Sequence, residues 1–472
     1  MLKDRRPYLG VVFLLRPGLN RYGLAVAFLE VDGFVATGKK NLNRMEVGIV
    51  MQLAATVGGA IPQNAPIDFR GLCRSLWRRR QIDGLAFALA LSAVPISIAV
   101  SEGFLAIALL AHLMRIARRQ TAVRLPRIFW FWLAWVGMQL LSWGASPEPK
   151  AGWGEIRHSL LLGALFFVMP ALSETAHRVA VWRGIFLAAS LGSLFLIGDF
   201  ISRLIYYRRE LSVGGDPSLY LRTGGLLNHW MVFATVEILV FAGLLAFSRF
   251  YPEQRRFWIP VFAINGLAIV VSLTRMLWIS CFLLLTAELI WRRSKWSWVV
   301  PLLPLGIYFL GPGVIRTRIR VSISPSYYSN AERMQMLRVG WRMIRKHPIT
   351  GVGPGRVEKL YRNYLAPGDP LPAFYGHLHN NLAQIAAEFG LPVAAAASVL
   401  LAALFNDIIR AWKAAADRGN QFLCLTAILG VTGFMVAGAF EYTYGHSLGL
   451  IILSFVALSP LIPARTPVER SG

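Results

Sequence analysis

The sequence predicts an all-α, polytopic transmembrane helical bundle of about twelve spans with one long extramembrane loop. Three observations carry that expectation. Hydrophobic residues make up 56% of the chain against 15% charged, with a mean hydropathy of +0.52, outside the range of ordinary soluble domains. Apolar runs recur along most of its length, separated by short Arg-rich or Pro/Gly-rich breaks. A hydrocarbon core about 30 Å thick calls for ~20 residues of helix per crossing. These runs are too long for barrel strands, and only helices or closed barrels satisfy the backbone in lipid.

Residues 1–80 hold short apolar stretches (10–15, 24–36 and 47–61) cut by Arg, Pro and Asn, with no clean span and no cleavable signal pattern. They are expected to be a disordered cytoplasmic extension, or residues ahead of the true start codon. Spans are expected at 83–100, 102–115, 128–144, 159–172, 180–200, 229–247, 257–273, 276–291, 297–311, 391–410, 421–440 and 447–463. This divides the chain into nine helices over 81–311, a long loop over 312–390, three helices over 391–463 and a tail over 464–472.

Orientation follows from the Lys/Arg bias of short loops. The basic segments 74–80, 115–127, 248–257, 291–295 and 410–418 all fall on one face, which is read as cytoplasmic together with both termini. Loops 146–158, 203–228, 274–275, 312–390 and 441–446 then face the opposite side, the periplasm of a Gram-negative cell.

A formal charge of +25 would suggest nucleic acid on a soluble chain. Here the arginines cluster beside apolar runs, so topology and anionic lipid account for much of them. The three cysteines, Cys73, Cys281 and Cys424, show no metal-ligand spacing, and two lie inside apolar runs as packing residues. The loops on the outer face are also Arg-rich: 203–222 carries four arginines, and the long loop adds Arg316, Arg318, Arg320, Arg333, Arg338, Arg342, Arg345 and Arg356. Solvated charge or outer-leaflet lipid is the bland account. An anionic substrate such as a phosphorylated lipid is the functional one.

Within that loop, 331–347 has helical period, with Met334, Leu337, Trp341 and Ile344 on one stripe and Arg338, Arg342 and Arg345 on another. It is expected to lie at the membrane surface with the apolar stripe against lipid or protein. The following "ITGVGPG" (349–355) reads as a turn-rich connector rather than a phosphate loop.

The segment "HLHNNLAQIAAEFG" (377–390) places His377 and His379 at the outer mouth of the next span. The helical pattern begins at Asn380, so His379 stands near a helix N-terminus, where the dipole disfavours imidazolium. A neutral imidazole serves as a general base; a plain capping histidine is the alternative. Ala383, Ala386, Ala387, Gly390 and Ala394 give a small-residue face for close helix packing. Arg275 stands between two apolar runs joined by almost no loop, a costly place for a guanidinium unless it reaches water or an anion. Snorkelling anchorage is its bland account, phosphate binding by its fixed fork of donors the other. Glu441 lies just past a span on the same face, placed to orient an arginine or a histidine, or to be an ordinary loop acid.

These residues resemble the O-antigen ligase and polymerase superfamily. Its ligase pattern runs His, then Asn, Ser or Gln, nine residues, Gly, two residues, then Gly, Thr or Tyr; His379, Asn380 and Gly390 fit, and Val393 departs at the last position. Thr274-Arg275 is similar to the family's arginine after a span, and "AERMQML…W…HPITGVGPG" to its loop, with Arg333 at its substrate-binding arginine. The resemblance covers about 220–460. It implies a GT-C-type glycosyltransferase of the bacterial inner membrane, with its active site facing the periplasm. The enzyme would move a glycan from undecaprenyl diphosphate to lipid A–core oligosaccharide, making lipopolysaccharide. Polymerases of the superfamily use a second lipid-linked repeat unit, and related members glycosylate protein. His379 is then the expected base and Arg275 and Arg333 the diphosphate ligands, with Arg222 and Arg342 assisting. Asn380 and His377 orient acceptor or base, and Glu441 is a weaker addition. The outer loops carry no DxD-like acid pair, so no metal and no cofactor are expected. A secondary transporter is the reading from another class. It is disfavoured because no internal repeat is visible, and Asp199 and Glu237 are the only troubling acids near spans.

Overall fold

The computed structural model describes residues 10–13, 26–29, 68–210, 218–324, 327–372 and 374–462. The expected extension over 1–80 lies mostly outside the described residues, as does the tail over 464–472. Two four-residue strands, β1 (Gly10–Phe13) and β2 (Val26–Leu29), pair antiparallel; everything else regular in the described residues is helical.

The first helices are α1 (Phe69–Arg78), α2 (Ile82–Ala93), α3 (Ile98–Ala117), α4 (Ile128–Gly144), α5 (Trp153–Val168), α6 (Thr175–Glu210) and the short α7 (Ser218–Leu221). They are followed by α8 (Trp230–Phe250), α9 (Arg255–Val271), α10 (Arg275–Trp291), α11 (Leu302–Leu310), α12 (Gly313–Ile323), α13 (Tyr328–Lys346) and α14 (Val357–Leu360). The chain closes with α15 (Asn381–Phe389), α16 (Leu391–Ala414), α17 (Arg418–Gly438) and α18 (Ser447–Leu458). Each expected apolar segment is helical. Six stretches are long and apolar enough to cross a membrane: Ile98–Ala117, Pro149–Leu172, Thr175–Arg209, Trp230–Phe250, Leu391–Ala414 and Arg418–Gly438. Ile82–Ala93, Ile128–Gly144 and Ser447–Leu458 are shorter apolar helices.

Helix starts follow local chemistry. Asp68, Asp417 and Asn380 each accept a hydrogen bond from a backbone N–H three residues on, at 2.6, 2.9 and 2.9 Å, filling one of the orphan donors of a first turn. Several boundaries differ from expectation: the span expected over 83–100 stops at Ala93, and the one expected over 180–200 is a helix from Thr175 to Glu210. The segment expected as one span over 297–311 is a 3-10 turn (Lys295–Trp298) followed by the nine-residue α11, because Pro301 and Pro304 interrupt the ladder. The helix expected to run on from Asn380 breaks at Gly390, whose φ of +90° separates α15 from α16.

The core is a bundle centred on α8 and α17. Trp182 is fully buried, with ring centroids of Phe186, Phe455 and Phe422 at 5.4, 5.8 and 6.2 Å. Glycines let the helices approach: a Cβ at Gly433 would stand 2.7 Å from Ile238 of α8 and 2.8 Å from Leu284 of α10, the small-residue packing expected between helices in lipid.

Polar side-chain contacts sort the loops into two ends. Arg79–Glu174, Arg115–Asp83, Arg127–Asp407, Arg183–Gln254 and Arg418–Glu253 tie 74–80, 115–127, 173–178, 251–255 and 407–418 together at one end. At the other end Lys359 pairs with Glu148, Ser142 with the Thr350 carbonyl, Arg318 with the Leu273 carbonyl, and Asn381 with Thr443. The alternation of apolar segments predicts the same two groups.

Candidate active site

Loops distant in sequence supply the site. Between α9 and α10 the chain turns in three residues, 272–274, and Leu273 takes a φ of +54°, a costly value for a bulky side chain. The Ser272 hydroxyl accepts from the Thr274 N–H at 3.3 Å, and the Trp278 indole donates to the Ile269 carbonyl at 2.7 Å, stapling the two helices. Arg275, the first residue of α10, donates to the Ser329 hydroxyl at 3.1 Å and to the Asn330 side-chain oxygen, both at the start of α13. The Asn330 amide donates onward to the Ser324 carbonyl at 2.7 Å. The buried Arg318 of α12 donates to the Leu273 carbonyl at 3.2 Å. Arg275 thus lies within electrostatic reach of Arg333, Arg318 and Arg222.

Glu441, in the turn after α17, is the hub. It is 1% exposed. Its Oε2 accepts from Arg333 Nη2 at 3.3 Å. Its Oε1 lies 2.7 Å from His379 Nδ1, in contact without in-line hydrogen-bond alignment, and 3.5 Å from His377 Nε2. Burial alone would raise this carboxyl, but contact with His379 and the charges of His379, His377 and Arg333 outweigh it and hold it down at about 2. Burial lowers His377 to about 4 despite Glu441, so His377 is neutral at pH 7. The two imidazoles are 4.3 Å apart, with Phe374 edge-on to both at 5.1 and 5.9 Å. His379 has a φ of +52°, left-handed geometry in which His is more at home than most residues. That turn ends at Asn380, which caps α15 and donates to the Ala439 carbonyl at 3.1 Å, fastening the histidine turn to the end of α17.

A second layer stands behind. The Tyr442 hydroxyl donates to Glu155 of α5. His446 faces His229 at 6.1 Å, burial holding His446 down at about 4. Arg222 sits 5.3 Å above the Trp230 ring.

The glycine-rich connector is a docking turn. Val352 and Gly353 donate to the Ala387 and Glu388 carbonyls of α15 at 2.8 and 3.0 Å, and the Gly355 N–H donates to Glu388 Oε1 at 2.9 Å. These donors are already satisfied by protein, which leaves no phosphate cradle.

The structure therefore brings His377, His379, Glu441 and Arg333 into contact, with Arg275 and Arg222 nearby. Arg342 is elsewhere. It stands nine residues beyond Arg333 on α13, about half a turn away in azimuth, and binds Asp369 at 2.6 Å and the Tyr364 carbonyl at 3.0 Å. The apolar stripe expected on α13 against lipid or protein is only partly the protein-facing side, with Ile344 buried. Met334 and Trp341 are exposed, and the buried face is Met336, Val339, Gly340, Met343 and Ile344, packed on Leu378 and α15. Sequence reasoning missed Asn330 and Tyr442, and named Arg318 among the arginines of the long loop without singling it out. Arg318 alone left a signal, falling one turn after buried Ile315 on the inward stripe of α12. Asp199, one of the two troubling acids, is held by Arg203 at 3.0 Å. Glu237 is buried inside α8.

His377, His379 and Glu441 also bring ligand atoms within 4.8 Å of one another, a spacing that would admit a metal ion.

Residues 260–398 match the family model described as O-antigen ligase. The match covers under a third of the chain, and it is to that family that this stretch is similar. That stretch holds Arg275, Arg318, Arg333, His377 and His379, whereas Glu441, Arg222 and Tyr442 lie outside it. No curated protein matches the chain. The family comprises glycosyltransferase-like membrane enzymes acting on lipid-linked glycans.

Proposed function

We propose that the protein is an O-antigen ligase. In this reading it crosses the bacterial inner membrane about twelve times and transfers a polysaccharide from undecaprenyl diphosphate to lipid A–core on the periplasmic face. The observation that supports this most is the Glu441 hub: one carboxylate contacts both the histidine pair and Arg333, beside a guanidinium cluster. Arg222, Arg318 and Arg333 lie within electrostatic reach of Arg275, with Arg333 paired to Glu441, so the pocket is electropositive and suited to a diphosphate.

The transfer is a single displacement with inversion. The acceptor hydroxyl attacks the anomeric carbon, the bond from that carbon to the diphosphate oxygen breaks, and the acceptor proton passes to His379. Glu441, against Nδ1, sets the ring so that Nε2 is the proton-accepting atom. The arginines take up the negative charge that grows on the leaving diphosphate. With that charge met by guanidinium groups, and Arg333 already on the second Glu441 oxygen, no metal is required in this reading.

The test is purified protein with a lipid-diphosphate glycan and either lipid A–core or a second lipid-linked unit, in excess chelator. Transfer to lipid A–core is expected. Elongation of the lipid-linked unit would instead establish a polymerase, and activity lost to chelator would replace the metal-free mechanism with one through His377, His379 and Glu441.

A further inference from the structure

A cavity of about 250 Å³ opens between α4, α5, α15, α16, α17 and α18. Its walls are apolar, with Trp132, Phe166, Leu404, Phe434 and Leu453 among them. One end reaches Asn380 and Ala439, the cap that follows His379 and the residue two before Glu441. The cavity therefore finishes beside the candidate site.

Its position relative to the arginines is informative. Among the described residues, none of its lining comes from α9 to α13, the elements that carry or adjoin Arg275, Arg318 and Arg333. The wall between is α17. Val431, Phe434, Met435 and Gly438 face the cavity, while Gly433 faces Leu284 of α10. The arginines and the cavity lie on opposite sides of α17 and converge past its C-terminus, at Glu441.

We propose that this cavity seats an acyl chain of the lipid-anchored acceptor, on the side of α17 away from the donor. The proposal rests on the transferase reading above. A polyprenyl diphosphate held by Arg275 and Arg333 runs its hydrocarbon along the α10 side, and α17 separates it from the cavity. A chain in the cavity has its polar end at Asn380, which presents the attached head group to His379. The volume suits one alkyl segment; further chains lie in the bilayer against the outward faces of α4 and α16, where Leu133 and Val399 are exposed. The two lipids approach from opposite sides of one helix and meet only at the histidine turn. This arrangement favours a glycolipid acceptor over a protein acceptor.

Photolabelling of the full chain in nanodiscs tests this without requiring turnover. The probe is a lipid A-type glycolipid with a diazirine on one acyl chain. Label is expected in 397–404, 431–438 and 450–458, displaced by the untagged glycolipid and retained in excess undecaprenyl diphosphate. The cavity-filling substitutions Ala397→Phe and Ala457→Phe are each expected to lose the label, with a melting temperature measured alongside to confirm the fold. Displacement by undecaprenyl diphosphate, equal labelling by a phosphatidylethanolamine with the same tag, or no label in these segments would each overturn the proposal. Correct labelling without glycan transfer to any acceptor would count against the transferase reading, not against the lipid site.

Discussion

Oε1 of Glu441 lies 2.7 Å from Nδ1 of His379, and the carboxylate is buried where solvent cannot substitute for it. Two residues in separate turns, 62 positions apart by subtraction, thereby share one proton-binding unit. His379→Ala is expected to lower kcat by about 10²–10⁴, the usual worth of a general base, with donor binding retained. Glu441→Gln keeps the shape but loses the charge that sets the imidazole, so kcat falls while the fold persists. Glu441→Ala also leaves Arg333 without its carboxylate and is expected to cost stability on the order of 3 kcal/mol. Steady-state kinetics beside thermal melts separate the two effects.

Arg275 gives a different signature. It is held by Ser329 and Asn330 at the head of α13, so its fork is set before substrate arrives. Arg275→Lys retains the charge but not the planar fork and is expected mainly to raise the donor KM. Arg275→Ala is expected to lower kcat by about 10²–10³, as for loss of one oxyanion donor. Equal kcat in Arg275→Ala and wild type would remove this residue from the transition state.

Gly390 is a backbone requirement. With φ at +90°, a Cβ there would stand 2.0 Å from the Ile349 carbonyl oxygen. Gly390→Ala is expected to cost about 1–3 kcal/mol, read as a lower melting temperature, and to reduce activity by shifting α15 and the His379 turn on it. An unchanged melting temperature would contradict that account.

Acid should destabilise the fold in two steps. His377 and His446 both fall from the ordinary 6.5 to about 4. The unfolded chain then binds more protons than the folded one between those values, and stability falls as pH drops through that window. Glu441, held near 2, adds a further loss as pH falls below the ordinary carboxylate value of 4.5. Melting temperature measured from pH 7.5 to 4 should decline from about 6.5 downward, and His377→Gln with His446→Gln should flatten the upper part of that decline.

The helices were legible because hydropathy is a property of neighbouring residues. Ile128–Gly144 appears with the boundaries its composition predicts. The start of α15 was legible from Asn380, whose side chain accepts the bond its residue type implies. Less readable were features set by distant contacts. The inward face of α13 is chosen by what packs on it, so Met336 and Met343 are buried while Met334, two residues before Met336, is exposed. The hub role of Glu441 depends on a turn 62 residues from His379 and 108 from Arg333 by subtraction, and no local pattern encodes that meeting. Arg342 reads from sequence as one more arginine of the loop, yet Asp369 claims it.

The carboxylate that anchors the histidine turn stands 43 residues beyond the end of the matched stretch, 441 less 398. Recombination confined to 260–398 would transplant cations and imidazoles while leaving their counter-ion to whatever the recipient carries at the corresponding bend. Chimaeras of this chain are therefore expected to succeed or fail on a junction placed after 446 rather than at the edge of sequence similarity, and a library built on that boundary would reveal the hub as a single inherited unit.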